Sequence, residues 1–381
     1  MKKILFKSIH LGIGGVERTQ VQYINYLQEN NYDTSVLMEI DNGSNNIIDF
    51  SQNIPITFIK NISQAEKLKQ VRNEKNISLK HKIRYNLELI KDKSASNNVF
   101  KQVTKELQPD IAINFHPAAN TWNWKYIQNA KSIAWIHNSI VRKFITFNNM
   151  QKYIKKLSKY DLIVCVSQGV ANEITELAPE LEHKITYLHN PINFERIKKL
   201  SNEEIFIDEK FLLMVARFDI ASKDHYTLFT AFDIAKENGY DGKLYVIGDG
   251  NNEEKAIINT LLDMCKYKND IKLLGAKINP FNWMKKCDKF ILSTKSEGLP
   301  TVLLEALAVN DIVISANCKS GPSEILDNGQ CGYLFDVGNY HKLAEFMLDA
   351  KPKDRKLIDN HLLQFSNEVI MQKFHNILEQ I

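Results

Sequence analysis

The sequence has no apolar run near the roughly 20 residues that a bilayer-spanning helix needs, which excludes a helical integral membrane protein. Its start, Met1-Lys2-Lys3-Ile4-Leu5-Phe6, is too short an apolar run for an export signal, and no small-residue cleavage site follows. A cytoplasmic protein is expected. The five cysteines (Cys165, Cys265, Cys287, Cys318, Cys331) contain no CxxC pair. That excludes a zinc ribbon and a disulfide framework and leaves reduced, packed thiols. No Asp-x-Asp pair is present to hold a divalent cation against a diphosphate, so neither a metal nor any other cofactor is expected. A Walker loop and a nucleophile elbow are missing as well, which sets aside P-loop phosphotransfer and serine hydrolysis.

What is present reads as soluble and globular, with 44% hydrophobic and 25% charged residues. A chain of 381 residues suits two cores better than one. The net charge of +4 hides an asymmetry. Residues 1–190 carry 25 Lys+Arg against 17 Asp+Glu, and residues 191–381 carry 24 against 28. The first half therefore faces an anionic partner more readily than the second.

Short apolar runs at 3–9, 34–39, 111–115, 131–136, 162–166 and 185–188 read as strands separated by helical stretches. A long basic segment, about 63–107, reads as one or two helices. The pattern restarts with strands at 211–215, 243–247, 271–273, 289–292 and 312–315. The fold class is α/β: two Rossmann-like domains with parallel sheets, 1–190 and 191–366. An amphipathic helix, 367–381, closes the chain. Ligands of open α/β sheets sit outside the carboxyl ends of the strands. The Gly12–Gly15 turn, His116, His137, Arg217, the Gly248–Gly250 turn and Glu297 all fall at such ends. Facing domains bring them to one cleft.

The strongest local signal is Ser296-Glu297-Gly298-Leu299-Pro300-Thr301-Val302-Leu303-Leu304-Glu305. Gly298 admits close backbone approach of a ligand, and Pro300 suits a helix entry. A helix from Thr301 offers free N–H groups to a phosphate. Glu305 sits one turn into that helix among leucines and alanines, where a carboxylate needs a polar partner. Vicinal ribose hydroxyls fit it, and Glu297 fits sugar hydroxyls in the same way. Helix-start charge and simple solvent exposure explain two such glutamates equally well. Arg217 and Lys223 are two cations able to neutralise a diphosphate; salt bridges to Asp219 or Asp224 are the alternative. Gly12-Ile13-Gly14-Gly15 is a weak dinucleotide fingerprint, and with Glu39 as a ribose acid it leaves a dehydrogenase open. Arg142–Tyr160 carries six basic residues and no acidic ones, with aromatic and aliphatic residues interleaved. It reads as an anionic-membrane contact or as a solvated helix with a core stripe. The basic stretch 67–105 adds to the membrane reading.

In this order the segments resemble the retaining glycosyltransferases of family 4 (GT4), which have the GT-B fold. The resemblance runs through Gly14-Gly15-Val16-Glu17-Arg18, Trp135-Ile136-His137, Asn190-Pro191, Arg217…Lys223, Gly248-Asp249-Gly250, Glu297…Glu305 and Gly321-Pro322-Ser323-Glu324. It implies that Glu297 binds the donor sugar, Glu305 the ribose, and Arg217 with Lys223 the diphosphate. Gly298, Leu299, Pro300 and Thr301 would contact the donor. Gly15 would line the phosphates from the opposite domain. His137 would sit near the sugar and acceptor, with His116 on the acceptor side. Asp224 stands where many members have glycine, beside Lys223, and puts that lysine's role in doubt. The final helix is expected to cross back to the first domain. The resemblance is to bacterial members that build lipopolysaccharide, capsule or lipid-linked oligosaccharide. It implies a UDP-sugar donor, a glycan or glycolipid acceptor, peripheral contact with an anionic membrane through the first domain, and no nucleic acid. A non-catalytic sugar-nucleotide-binding subunit is the other function these residues fit.

Overall fold

The computed structural model describes residues 1–10, 15–43, 50, 54–117, 122–140 and 147–381. Gly12, Gly14, Arg142, Lys143 and Phe144 lie outside the described residues. The first domain opens with β1 (Lys3–Ser8), α1 (Gly15–Glu29), β2 (Asp33–Asp41), β3 (Ile56–Asn61), α2 (Ile62–Glu74) and α3 (Leu79–Leu107). It continues with β4 (Ile111–Asn114), β5 (Lys131–Ile136), α4 (Phe147–Leu157), β6 (Leu162–Cys165), α5 (Gln168–Leu177) and β7 (Ile185–Tyr187). After α6 (Phe194–Leu200), the second domain runs β8 (Phe211–Val215), α7 (His225–Glu237), β9 (Lys243–Ile247), α8 (Asn252–Asp263) and β10 (Ile271–Leu273). Next come α9 (Phe281–Lys286), β11 (Lys289–Leu292), α10 (Thr301–Leu307), β12 (Val313–Ala316), α11 (Pro322–Ile325) and β13 (Tyr333–Phe335). The chain closes with α12 (Tyr340–Asp349), α13 (Arg355–Leu362) and α14 (Asn367–Gln380).

Two sheets result, ordered β3-β2-β1-β4-β5-β6-β7 and β10-β9-β8-β11-β12-β13. All pairings between these strands are parallel. Helices cover both faces, so central strands read as continuous apolar runs such as Ile4-Leu5-Phe6, all fully buried. Strand order reverses between β1 and β4 in one sheet and between β8 and β11 in the other. Crevices for ligands open at such points. The residues that follow these four strands include Gly15, His116, Arg217 and Glu297.

The last helix belongs to the first domain's core. Phe374 of α14 is fully buried, with its ring 4.8 Å from Tyr23 and 5.8 Å from Trp135. Lys2 Nζ donates to the Leu378 carbonyl and Tyr32 Oη meets His375 Nδ1 at 3.0 Å. The two chain crossings between the domains bond to each other: Ile192 N–H to Phe365 O at 3.0 Å, and Asn367 N–H to Ile192 O at 3.1 Å.

The structure departs from the sequence reading in several places. The edge strands β3 and β13 were not expected, and the strand at 312–315 moves one residue on, to β12. Glu39 is not poised for a ribose: it pairs with the fully buried Lys7 at 2.7 Å. A lysine buried on β1 needs that carboxylate, so the dehydrogenase reading loses its acid. Tyr153, Ile154 and Leu157 of α4 are buried in a core cluster with Tyr160. The core stripe of the sequence reading is present in this helix. No described helix is long and apolar enough to cross a membrane.

Removing the Phe374 ring should empty a site shared by α14, α1 and β5. Phe374→Ala should lower unfolding free energy by about 3–5 kcal/mol, read by urea denaturation. A loss below about 1 kcal/mol would show that the helix is only loosely docked.

Candidate functional site

The two domains touch backbone to backbone at one glycine. A Cβ built on Gly298 would lie 2.8 Å from the His137 carbonyl carbon and nearer still to its oxygen. Only glycine allows this approach. Ser167, which caps α5 from the first domain, donates Oγ–H to the Gly298 carbonyl at 2.8 Å. Behind this contact Gly321 has φ +94°, and a Cβ there would meet Pro300 Cδ and the Gly298 carbonyl. The Ser320 hydroxyl donates to the Glu297 carbonyl at 2.8 Å and ties the same loop from behind.

Lys223 and Glu297 form an ion pair, both side chains mostly shielded. The segment after β11 sets this up. It lies against 222–224, with Lys295 N–H bonded to Ser222 O at 2.7 Å and Asp224 N–H to Ser293 O at 3.0 Å. Thr294 Oγ1–H donates to the same Glu297 oxygen, Oε1, at 2.8 Å, which leaves Oε2 without a partner among the described residues. Asp224 does not compete for Lys223. It caps α7 by accepting from Thr227 N–H at 3.3 Å, also accepts Thr227 Oγ1–H at 2.8 Å, and its ion partner is Lys295 at 3.7 Å. Asp219 accepts from the backbone and hydroxyl of Ser222. Neither aspartate pairs with Arg217, which is exposed just past β8 without an ion partner among the described residues. The Arg217 loop is seated by Ala216 N–H on Ile247 O and Phe218 N–H on Asp249 O, both at 2.9 Å, beside the Gly248–Gly250 turn. His225, buried next to Lys223, is pushed down to about 4 by desolvation and adds no charge at neutral pH.

A cavity of about 240 Å³ lies between Gly15 and Arg18 of the first domain and Thr301 and Glu305 of the second. A Cβ on Gly15 would come 3.3 Å from Thr301 Oγ1. No side chain caps α10, so its first amides are open to a ligand. With seven residues, α10 offers local N–H groups rather than a long macrodipole. Burial raises the Glu305 carboxyl above its ordinary range, and Arg18 across the cavity opposes that rise. Glu305 has no hydrogen-bond partner among the described residues. His137 and His116 line a second, small cavity, with ring centroids 5.4 Å apart. His137 Nε2 meets the Phe115 carbonyl at 3.0 Å and His116 Nδ1 meets Ser8 Oγ at 3.0 Å.

The structure thus gathers Glu297 with Lys223, Gly298 with His137, and Gly15 with Thr301 and Glu305. It leaves Arg217 at the rim. Sequence reasoning named Arg18 and Glu324 only as members of motifs, without a role, and missed Ser167 and Thr294. Ser167 carried a usable signal, since Ser167-Gln168-Gly169 follows β6 at a strand's carboxyl end. Glu324 bonds across the cleft to the amides of Gln168 and Gly169, at 2.9 and 2.8 Å, and to His189 Nε2 at 3.2 Å. Burial alone would raise its carboxyl. The His189 and backbone hydrogen bonds outweigh burial and hold it below the ordinary range. Away from the cleft, Asp327, Cys331 and His361 place ligand atoms within 4.8 Å of one another. Burial raises the Cys331 thiol, and Lys353 and Arg355 beside it repel a cation.

Two family models tile the chain. Residues 13–196 match Glycosyltransferase Family 4 and residues 195–360 match Glycosyl transferases group 1. The chain belongs to the family 4 glycosyltransferases of GT-B fold. An uncharacterized glycosyltransferase of Methanocaldococcus jannaschii is 29% identical over 68% of this chain and 67% of its own length. An N-acetylgalactosamine-N,N'-diacetylbacillosaminyl-diphospho-undecaprenol 4-alpha-N-acetylgalactosaminyltransferase of Campylobacter jejuni is 30% identical over 55% of this chain. The match spans about half of that relative, 53%. Among solved structures, Anabaena HepE in complex with UDP and glucose superposes at TM-score 0.75 with 15% identity, covering 100% of both chains. That likeness is one of fold.

Two predictions follow from the cross-domain contacts. Gly298→Ala should wedge the domains apart and cut turnover about 100-fold with little loss of thermal stability; steady-state kinetics and a melting curve check both. Glu324 has a depressed folded pKa, so its contribution is full above its ordinary value of 4.5 and is lost as pH falls through the folded value. Glu324→Gln should therefore melt lower than wild type at neutral pH, and the difference should shrink in acid.

Proposed function

We propose that this glycosyltransferase moves a hexose or N-acetylhexosamine from a UDP-sugar to a hydroxyl of a glycan or glycolipid, with retention at the anomeric carbon. The observation that carries the reading is the Lys223–Glu297 pair beside the Gly298–His137 contact, together with the open Glu305 carboxyl and the uncapped α10 start on the inter-domain cavity. Glu305 receives the ribose hydroxyls. The free oxygen of Glu297 receives hydroxyls of the donor sugar. Lys223 is already charge-balanced by Glu297, so the diphosphate draws on the exposed Arg217, on the α10 amides and on a shared Lys223. This set replaces a divalent cation, and no metal is required. The Gly298 backbone and the His137 strand end hold donor and acceptor sides in register.

In the transfer, the acceptor oxygen forms a bond to the anomeric carbon while the bond to the diphosphate oxygen breaks. Both events occur on one face, giving retention. The departing phosphate oxygen takes the acceptor proton. A carboxylate nucleophile is not needed, and Glu297 is held by Lys223 and Thr294 rather than presented for attack. Relatives named for capsule and lipopolysaccharide synthesis, in Staphylococcus aureus and Salmonella typhimurium, support a surface-glycan or lipid-linked oligosaccharide acceptor.

Nucleotide release should be seen with one UDP-sugar and not with GDP-, ADP- or dTDP-sugars, and chelator should not change it. Glu297→Ala should lower release about 100- to 1,000-fold. NMR of the product should show the donor's anomeric configuration; an inverted centre would overturn the mechanism.

A further inference from the structure

Another cavity, of about 230 Å³, opens in the first domain between β3, α2 and α3. Its walls are separate from those of the two cavities above. Ile59, Leu68 and Ala95 give it apolar patches, and the rest of its wall is polar. Ion pairs set how that wall can bind. Lys60 Nζ meets Asp92 Oδ1 at 2.6 Å, and Lys67 Nζ meets Glu88 Oε1 at 3.2 Å. Lys91 stands 4.0 Å from the same Glu88 oxygen. Asp92 Oδ2 and Glu88 Oε2 are left without partners among the described residues. Gln64 Oε1 accepts from Asn61 N–H at 3.0 Å at the start of α2, and its Nε2 is left over in the same way. Ser96 is the buried member of the set. It is 0% exposed, and its hydroxyl has no hydrogen-bond partner among the described residues. A serine inside a helix ordinarily returns its proton to the carbonyl a turn back. Thr104 on the same helix does so, to Phe100 O at 2.8 Å. Ser96 keeps an unpaired hydroxyl at the cavity instead, at a cost in stability.

We propose that this cavity is a saccharide site, and that it takes a sugar unit of the acceptor glycan remote from the hydroxyl that reacts. Donors and acceptors alternate around it. The lysines and the Gln64 amide donate, Asp92 and Glu88 accept, and Ser96 does either. Vicinal sugar hydroxyls, each a donor and an acceptor, match such a wall, and the apolar patches match the C–H face of a sugar ring. A phosphate fits less well. Lys60 and Lys67 already have carboxylate partners, and an added anion would face those carboxylates. Position supplies the role. The sheet is parallel, so the cavity at Ile59 and Lys60, near the carboxyl end of β3, opens on the same rim as the cleft. Strand order puts β3 two places from β1 and three from β4, about 10 and 14 Å at the usual spacing. Gly15 follows β1 and His116 follows β4. A glycan of a few units spans that distance. The site stands on the cavity itself. Only its part in holding the acceptor rests on the function proposed above.

Saturation-transfer NMR on the full-length protein tests this, with free galactose, N-acetylgalactosamine and N-acetylglucosamine as probes. At least one probe should take up saturation. Glu297→Ala should keep that signal, because the donor sugar binds elsewhere. Ser96→Ala and, separately, Glu88→Ala should each weaken binding about fivefold or more. Ser96→Ala should melt no lower than wild type, since it removes an unpaired buried hydroxyl. Nucleotide release with water as the acceptor should be unchanged in both variants. Wild-type protein that transfers saturation to no probe, or variants that bind like wild type, would overturn the proposal. Loss of the signal in Glu297→Ala would place the sugar at the donor site and overturn it too. So would displacement of the sugar by inorganic phosphate, which would make the cavity an anion site. Sugar binding by a protein that releases no nucleotide would leave the site standing and remove the proposed function.

Discussion

The site depends on a missing side chain. Gly298 lets the loop after β11 press its backbone against the His137 carbonyl, and Ser167 fixes the contact from the other side. Without a Cβ, two independent sheets meet at a distance that side-chain packing cannot reach. Everything else in the cleft is measured from this contact. Gly15 sits against Thr301 and Glu305 faces Arg18 because the domains are held in this register.

Charge is buried in three ways, each with a different consequence. Lys7 and Glu39 neutralise each other inside the first domain and are not available to a ligand. Lys223 and Glu297 neutralise each other at the cleft, where Thr294 keeps the carboxylate oriented and one oxygen stays free. Glu324 has no cation in its immediate grasp except through His189. It is stabilised by two helix-start amides of the opposite domain, a recognised site for anionic groups. The same residue type is thus a structural acid, half of an ion pair at the cleft and a cross-domain tie. Its partners decide which.

The first domain is asymmetric in the same physical terms. Its inner apolar residues, including Tyr153, Ile154 and Leu157 of α4, are consumed by the core. The outer face of α3 keeps its aliphatic residues exposed while its carboxylates turn inward to ion pairs.

Much of the fold was legible because its central strands are short continuous apolar runs, and such runs announce parallel sheets with helices on both faces. Ile56–Asn61 escaped notice because an edge strand is only partly buried and shows no clear pattern. Tyr333–Phe335 has three residues, too few for any period. The residue types at the strand ends, Gly15, His116, His137, Arg217 and Glu297, came from the chain alone, because strand order and helix crossover place such ends at a crevice. Pairing did not. That Lys223 takes Glu297 rather than Asp224, that Glu39 is spent on Lys7, and that Glu324 reaches across to α5 were set by tertiary structure. Local sequence fixes backbone periodicity over a few residues, whereas the partner of a charge is whichever group the packed chain brings within about 4 Å.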